Sequence, residues 1–210
     1  MTMTKQEEAR IIEAVLDGDT DRFEALVRAH EKGIYALCLR MLGSEQDALD
    51  ASQEAFFRAY RSLAGFRGES RFSVWLYRLA SNICLDMLRK RPASPELSLT
   101  MEEDAELPIP DTRPTPHTAL EQKELRTAVH RALGQLPPDF RQALVLREIG
   151  GLSYDEIAQT TGLEAGTVKS RIFRARKKLA ALLLRDGNFS FDLPSISATD
   201  NADGKGGADA

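Results

Sequence analysis

Apolar positions in the first half of the chain recur at spacings of three and four. Phe23, Leu26, Val27, His30, Ile34, Leu37, Cys38, Met41 and Leu42 mark one face of a long helix that should stop at Gly43, its C-terminal cap. Ser44 is placed to cap a second helix running through Tyr60. A third, starting after Ser70, carries Phe72, Leu76, Leu79 and Ile83 on one face. The opening stretch MTMTKQEEARIIEAV mixes acids and bases through its apolar positions, which predicts a short amphipathic helix and not an export signal. No strand pattern extends beyond a few residues. The fold class expected is all-α: two small helical domains joined by a flexible acidic linker.

The linker is visible as a break in periodicity. RPASPELSLTMEEDAELPIPDTRPTPHT packs prolines and acids together, so the domains are expected at 1–91 and 119–185, with a linker at 92–118 and a disordered tail at 186–210. In the second domain, helices are expected over about Ala119 to Leu136 and Asp139 to Ile149. LSYDEIAQTTGLEAGTVKSRIFRARKKL then reads as a helix-turn-helix. Ser153 and Glu156 form a capping box, Gly162 supplies the turn, and a longer helix follows from about Glu164. Ala158 is the small residue expected where the two helices cross. Val168, Ile172, Ala175 and Leu179 commit one face of that helix to the core, and Lys169, Ser170, Phe173, Arg174 and Arg176 must project elsewhere. An outward face of Lys, Ser, Arg and one aromatic suits the major groove, where arginine pairs bidentately with guanine. A solvated basic face on a structural helix-turn-helix is the plainer possibility.

Charge sharpens the picture. The formal net charge of −4 hides a partition: from Leu163 to Arg185, seven basic residues face Glu164 alone, whereas the linker carries six acids against Arg113. The 42% apolar and 29% charged content fits a soluble globular chain, expected to stay in the cytoplasm. Cys38 and Cys84 fall within apolar helical patterns, and no ligand cluster suggests a metal or another cofactor. No phosphate loop or nucleophile-base pair points to an enzyme or a small-molecule substrate, and no catalytic residue is assigned.

Residues 44 to 91 separate the remaining classes. DALDASQEAFFRAYRSL sets Asp47, Asp50, Gln53 and Glu54 on one acidic-polar side and leaves Ala48, Ala51, Ala55 and Ala59 for close packing. In FRGESRFSVWLYRLASNICLDMLRKR, Trp75, Arg78, Asn82 and Arg89 form a stripe of aromatic, amide and guanidinium groups, the set that unpaired bases require. With these segments the sequence resembles the sigma-70 family, specifically the small extracytoplasmic-function (ECF) group that keeps regions two and four. The resemblance spans nearly all of Thr20 to Leu184.

That resemblance implies promoter-specific transcription initiation in company with core RNA polymerase, which supplies the chemistry. It implies that Asp47, Asp50, Gln53, Glu54, Phe57 and Arg58 face the clamp helices of the polymerase largest subunit, and that the C-terminal domain meets the flap. Phe72, Trp75, Arg78 and Asn82 would hold separated strands and an extruded −10 base, with Arg89, Lys90 and Arg91 near phosphates. Thr167, Lys169, Ser170, Arg171, Phe173, Arg174 and Arg176 would read the −35 element of promoter DNA. It further implies an anti-sigma factor, commonly membrane-anchored. A structural role for Trp75 in the core, and a plain surface amide at Asn82, stay open from the residues themselves. Two departures from the family pattern are Ser52, where an aliphatic residue is usual, and the length of the tail. The alternative function is a stand-alone helix-turn-helix transcriptional regulator, and a further one is an adaptor that binds only protein.

Overall fold

The computed structural model describes residues 3–90 and 116–185; Arg91, most of the expected linker and the whole tail lie outside the described residues. Eight α-helices occur among them and no strand: α1 (Lys5–Leu16), α2 (Phe23–Leu42), α3 (Glu45–Arg61), α4 (Phe72–Lys90), α5 (Pro116–Gly134), α6 (Pro138–Glu148), α7 (Tyr154–Thr161) and α8 (Ala165–Arg185).

Local chemistry explains the boundaries in the first domain. Thr4 and Glu7 form a reciprocal capping box at the start of α1, and this holds the Glu7 carboxyl below its usual range. Gly43 ends α2 with φ 71°, a left-handed conformation that costs glycine nothing, and its N–H donates to Leu39 O at 2.9 Å. Ser44 then accepts from Asp47 N, so one helix closes and the next opens within two residues.

Helices α2, α3 and α4 pack against one another as a bundle. Ala48, Ala51, Ala55 and Ala59 are almost fully buried along α3, and their small side chains let the backbones approach closely. Against this stripe lie Leu26, Ile34, Leu37, Met41, Leu42 and Leu76. Where α2 crosses α4, a β-carbon on Gly33 would stand 2.6 Å from the Tyr77 hydroxyl, so only glycine fits without a shift. Burial also pushes the Tyr77 phenol above its ordinary pKa.

The second domain wraps α5, α6 and α7 around α8. Val168, Ile172 and Ala175 are buried to the last few per cent and pack with Leu146, Leu152 and Ile157. The turn between α7 and α8 is Gly162 at φ 70°, and the Ser153–Glu156 capping box is complete. Helix α5 begins three residues before the expected Ala119, because the proline-bearing end of the linker enters its first turn.

The two domains are in contact: most of their buried apolar residues form one cluster from Ile12 to Ala175, with Ala128, Ala132 and Leu183 in a second, and α6 lies against both α2 and α4. Arg141 of α6 donates to Met41 O at 2.6 Å across this boundary, and to Leu136 O and Gly134 O within its own domain. Gln142, beside it, donates to Ser81 Oγ at 3.2 Å.

Candidate nucleic-acid interface

Four aromatic rings gather where the loop after α3 meets the start of α4. Phe66 lies 5.2 Å from Trp75 and 5.8 Å from Phe72, Trp75 lies 5.7 Å from Phe72, and His30 of α2 lies 5.6 Å from Phe72. Phe72, placed on the core face of its helix by its spacing and at the DNA by the resemblance, is 1% exposed and forms the floor of the cluster. The reason is its register, since Phe72, Leu76 and Ile83 share the inward face of α4. Trp75 is half-buried on that floor. Behind the floor, Glu8 of α1 meets the His30 ring at 3.0 Å with both side chains largely shielded. Phe66 and Glu8 are members of this cluster that the sequence did not single out, and His30 was placed only on the apolar face of α2. The aromatic run Phe66–Phe72–Trp75 was the available signal.

Along α4, Arg78, Asn82 and Arg89 are exposed in the expected stripe with Trp75, while Lys90 is exposed and lines the groove against α3; Arg91 lies outside the described residues. Part of that stripe is engaged by the second domain. Gln142 Nε2 points to Asn82 Oδ1 at 3.5 Å, and Arg89 Nη2 lies 3.9 Å from the Asp139 carboxylate. Glu156 of α7 takes Arg71 at 3.2 Å. Burial raises the Glu156 carboxyl, and the Ser153 hydrogen bonds with the Arg71 guanidinium outweigh it, leaving the group below its usual pKa.

Helix α8 presents a second surface. Thr167, Lys169, Ser170, Phe173, Arg174 and Arg176 are exposed, Phe173 by 55%. Lys169 Nζ lies 5.4 Å from the Tyr154 ring centroid and the Arg147 guanidinium 4.7 Å from it, so Tyr154 gathers two cations beside the helix start. Two of the expected basic residues are committed elsewhere. Arg171 is only partly exposed, lies 6.0 Å over the Phe140 ring and is 3.9 Å from Asp139. Arg176 pairs with Glu148 at 2.7 Å.

The third surface is the outer face of α3. Asp50, Gln53, Phe57 and Arg58 are exposed, Asp47 and Glu54 partly so, and Glu54 pairs with Arg58 at 2.6 Å. Leu49, Phe57 and Tyr60 leave apolar area uncovered on the same helix. Asp50, Glu54 and Arg58 line a shallow groove against Asp86, Met87 and Lys90 of α4. Among the described residues no group of His, Cys, Asp or Glu converges as a metal site, and no helix is long and apolar enough to cross a membrane.

An all-helical chain with a capped helix-turn-helix, an aromatic-amide stripe and an acidic-apolar helix face describes a promoter-recognition protein. The chain matches Sigma-70 region 2 over residues 26–93 and Sigma-70 region 4 over residues 126–179. It is 40% identical to the RNA polymerase sigma-H factor of Pseudomonas aeruginosa, across 84% of this chain and 94% of that protein. It is 39% identical to the ECF RNA polymerase sigma-E factor of Escherichia coli, across 80% and 90%. The solved structure of CnrH, in complex with the cytosolic domain of CnrY, superposes with a TM-score of 0.60 at 27% identity, covering 84% of this chain and 96% of that one. RpoE in complex with the anti-sigma factor NepR from Bartonella quintana shares the fold, with a TM-score of 0.58 over 78% of this chain and 98% of that one. The chain therefore belongs to the sigma-70 family. Within it, it is an alternative sigma factor of the extracytoplasmic-function type, directing transcription initiation.

Proposed function

We propose that the first domain, 1–91, binds core RNA polymerase and captures the −10 element, that the linker 92–118 is a tether, and that 119–185 reads the −35 element. On this reading the face of α3 carrying Asp47, Asp50, Gln53, Glu54, Phe57 and Arg58 docks on the clamp helices of polymerase. Trp75, supported by Phe66 and Phe72, stacks on an unpaired base whose edge meets Asn82, while Arg78, Arg89, Lys90 and Arg91 approach the strand. A captured base must recover the few kcal/mol lost on unstacking, and an aromatic floor with an amide beside it can return that much.

Helix α8 enters the major groove with Lys169, Ser170, Phe173 and Arg174 foremost. Thr167, Arg171 and Arg176 are secondary, the last two once released from Asp139 and Glu148. The observation that carries the reading is the division of α8 into a locked inner face and an exposed cationic outer face, in the same chain as the Trp75 stripe. Polymerase supplies catalysis, so the protein acts where polymerase and chromosome meet, in the cytoplasm. CnrH and RpoE are each held by a second protein in the solved complexes, which supports an anti-sigma partner for this chain as well.

Footprinting tests the proposal. Protection of an upstream duplex element should require core polymerase together with this chain. Specific protection by the chain alone would favour a stand-alone regulator.

A further inference from the structure

Helix α1 turns Glu8, Ile12 and Val15 inward, and all three are buried. They share one face of the helix, and on a face otherwise aliphatic the first position is a carboxylic acid. Glu8 is 6% exposed, and its Oε1 lies 3.0 Å from Nε2 of His30, whose side chain is 17% exposed. Taking such a pair out of water costs about what its attraction returns, so two leucines would serve stability at least as well. What an acid and an imidazole supply that leucines do not is direction.

Direction matters because of what His30 touches. An imidazole whose Nε2–H donates to a carboxylate has its ring orientation fixed. That ring lies 5.6 Å from Phe72, inclined at 48°, and Phe72 in turn lies 5.7 Å from Trp75 and 5.8 Å from Phe66. Helix α1 also lies against the single turn Leu63–Gly65, the residues immediately before Phe66. The same short helix therefore holds the aromatic platform from two sides, under Phe72 and at the root of Phe66.

We infer that Glu8 and His30 are positioning residues for −10 capture: their hydrogen bond fixes the floor on which Trp75 stands, so that the indole is set for stacking before the strands part. This rests on the assignment of Trp75 to the −10 strand. Both residues act through Phe72. Rings that lose their freedom on folding do not have to lose it on binding, which lowers the cost of seating an unpaired base.

The test uses the full chain with core polymerase and a promoter that the two together select from a randomised library. Trp75 is the chain's single tryptophan, so its fluorescence reports the platform directly. Glu8→Leu combined with His30→Leu replaces the pair by apolar groups, and thermal unfolding of this double variant should occur at or above the parental temperature. Its Trp75 emission should nonetheless move to longer wavelength and become more open to acrylamide quenching. Affinity for core polymerase should be unchanged, while the rate at which −10 thymines become reactive to permanganate should fall about tenfold, within the worth of one base–aromatic stack. Glu8→Gln, which keeps an oxygen to accept from Nε2–H, should keep the parental rate.

A stable double variant that opens the promoter at the parental rate overturns the inference. So does an unmoved Trp75 emission, or a loss of polymerase affinity that matches the loss of rate. If the double variant does not fold, Glu8→Met, whose flexible side chain fills the same space, is read by the same emission and rate. Trp75→Ala should slow opening at least as much as the double variant does. Parental opening by Trp75→Ala overturns the −10 assignment and the positioning role with it. Slow opening by Trp75→Ala beside parental opening by the double variant overturns the role of Glu8 and His30 alone.

Discussion

Replacing Phe57 by alanine isolates the proposed polymerase contact from the fold. The side chain is 54% exposed on α3, outside the buried core, with the Arg61 guanidinium 5.5 Å from its ring centroid, so its removal leaves the bundle core intact. If the docking face is covered by polymerase, the exposed half of the ring, about 100 Å² out of the roughly 200 Å² a phenylalanine can bury, leaves water on binding. At about 25 cal/mol per Å² this is about 2.5 kcal/mol, or roughly a seventyfold rise in Kd. Fluorescence anisotropy of the labelled chain titrated with core polymerase measures it directly. Thermal unfolding of Phe57→Ala should match the parent to within about 1 kcal/mol, since only the exposed cation–π contact is lost. A Kd changed less than threefold would refute the placement of this face against polymerase.

Other expectations follow from the same geometry. Arg174→Ala should cost about 1–3 kcal/mol at one −35 base pair and relax preference there, measured by initiation from promoter variants; equal loss on every variant would rule out direct reading. Arg141→Ala removes a guanidinium that serves three backbone carbonyls, so urea denaturation should show a loss of about 3 kcal/mol or more, and under 1 kcal/mol would contradict the role given to it. His130 is pushed down from 6.5 to about 4, by burial first and by the Arg40 guanidinium second. The unfolded chain therefore takes up the proton first. The stability from neutral His130 is fully present above pH 6.5 and is lost as the pH falls toward 4, on the order of 1–2 kcal/mol by pH 5. His130→Gln should flatten that part of the pH–stability curve, and an unchanged slope would count against the assignment.

The boundaries that a reader can find in the chain are those set by local chemistry. Gly43 and Ser44, Gly162, and the Ser153–Glu156 pair each satisfy their own neighbours' backbone groups, so their effect needs no knowledge of the rest of the fold. The same holds for Val168, Ile172 and Ala175, whose spacing alone turns Lys169, Ser170 and Arg174 outward. Phe72 drew two readings: its spacing with Leu76 and Ile83 turns it inward, the resemblance sends it to the DNA, and its burial follows the spacing. The docking of the domains was not legible at all. Arg141 and Gln142 are polar residues, yet both are buried, because their partners are Met41 O, 100 residues away, and Ser81, 61 residues away. Asp139, Arg89 and Arg171 likewise meet only in three dimensions.

The central claim is that this chain gives polymerase its choice of promoter, with the Trp75 stripe and the outer face of α8 as the two readers. Transcription by sigma-free core polymerase on a randomised upstream library, with and without the chain, measures this most directly. The account predicts RNA starting at discrete positions behind a two-part sequence, lost with Trp75→Ala together with Arg174→Ala. Start sites that are the same with and without the chain would contradict it.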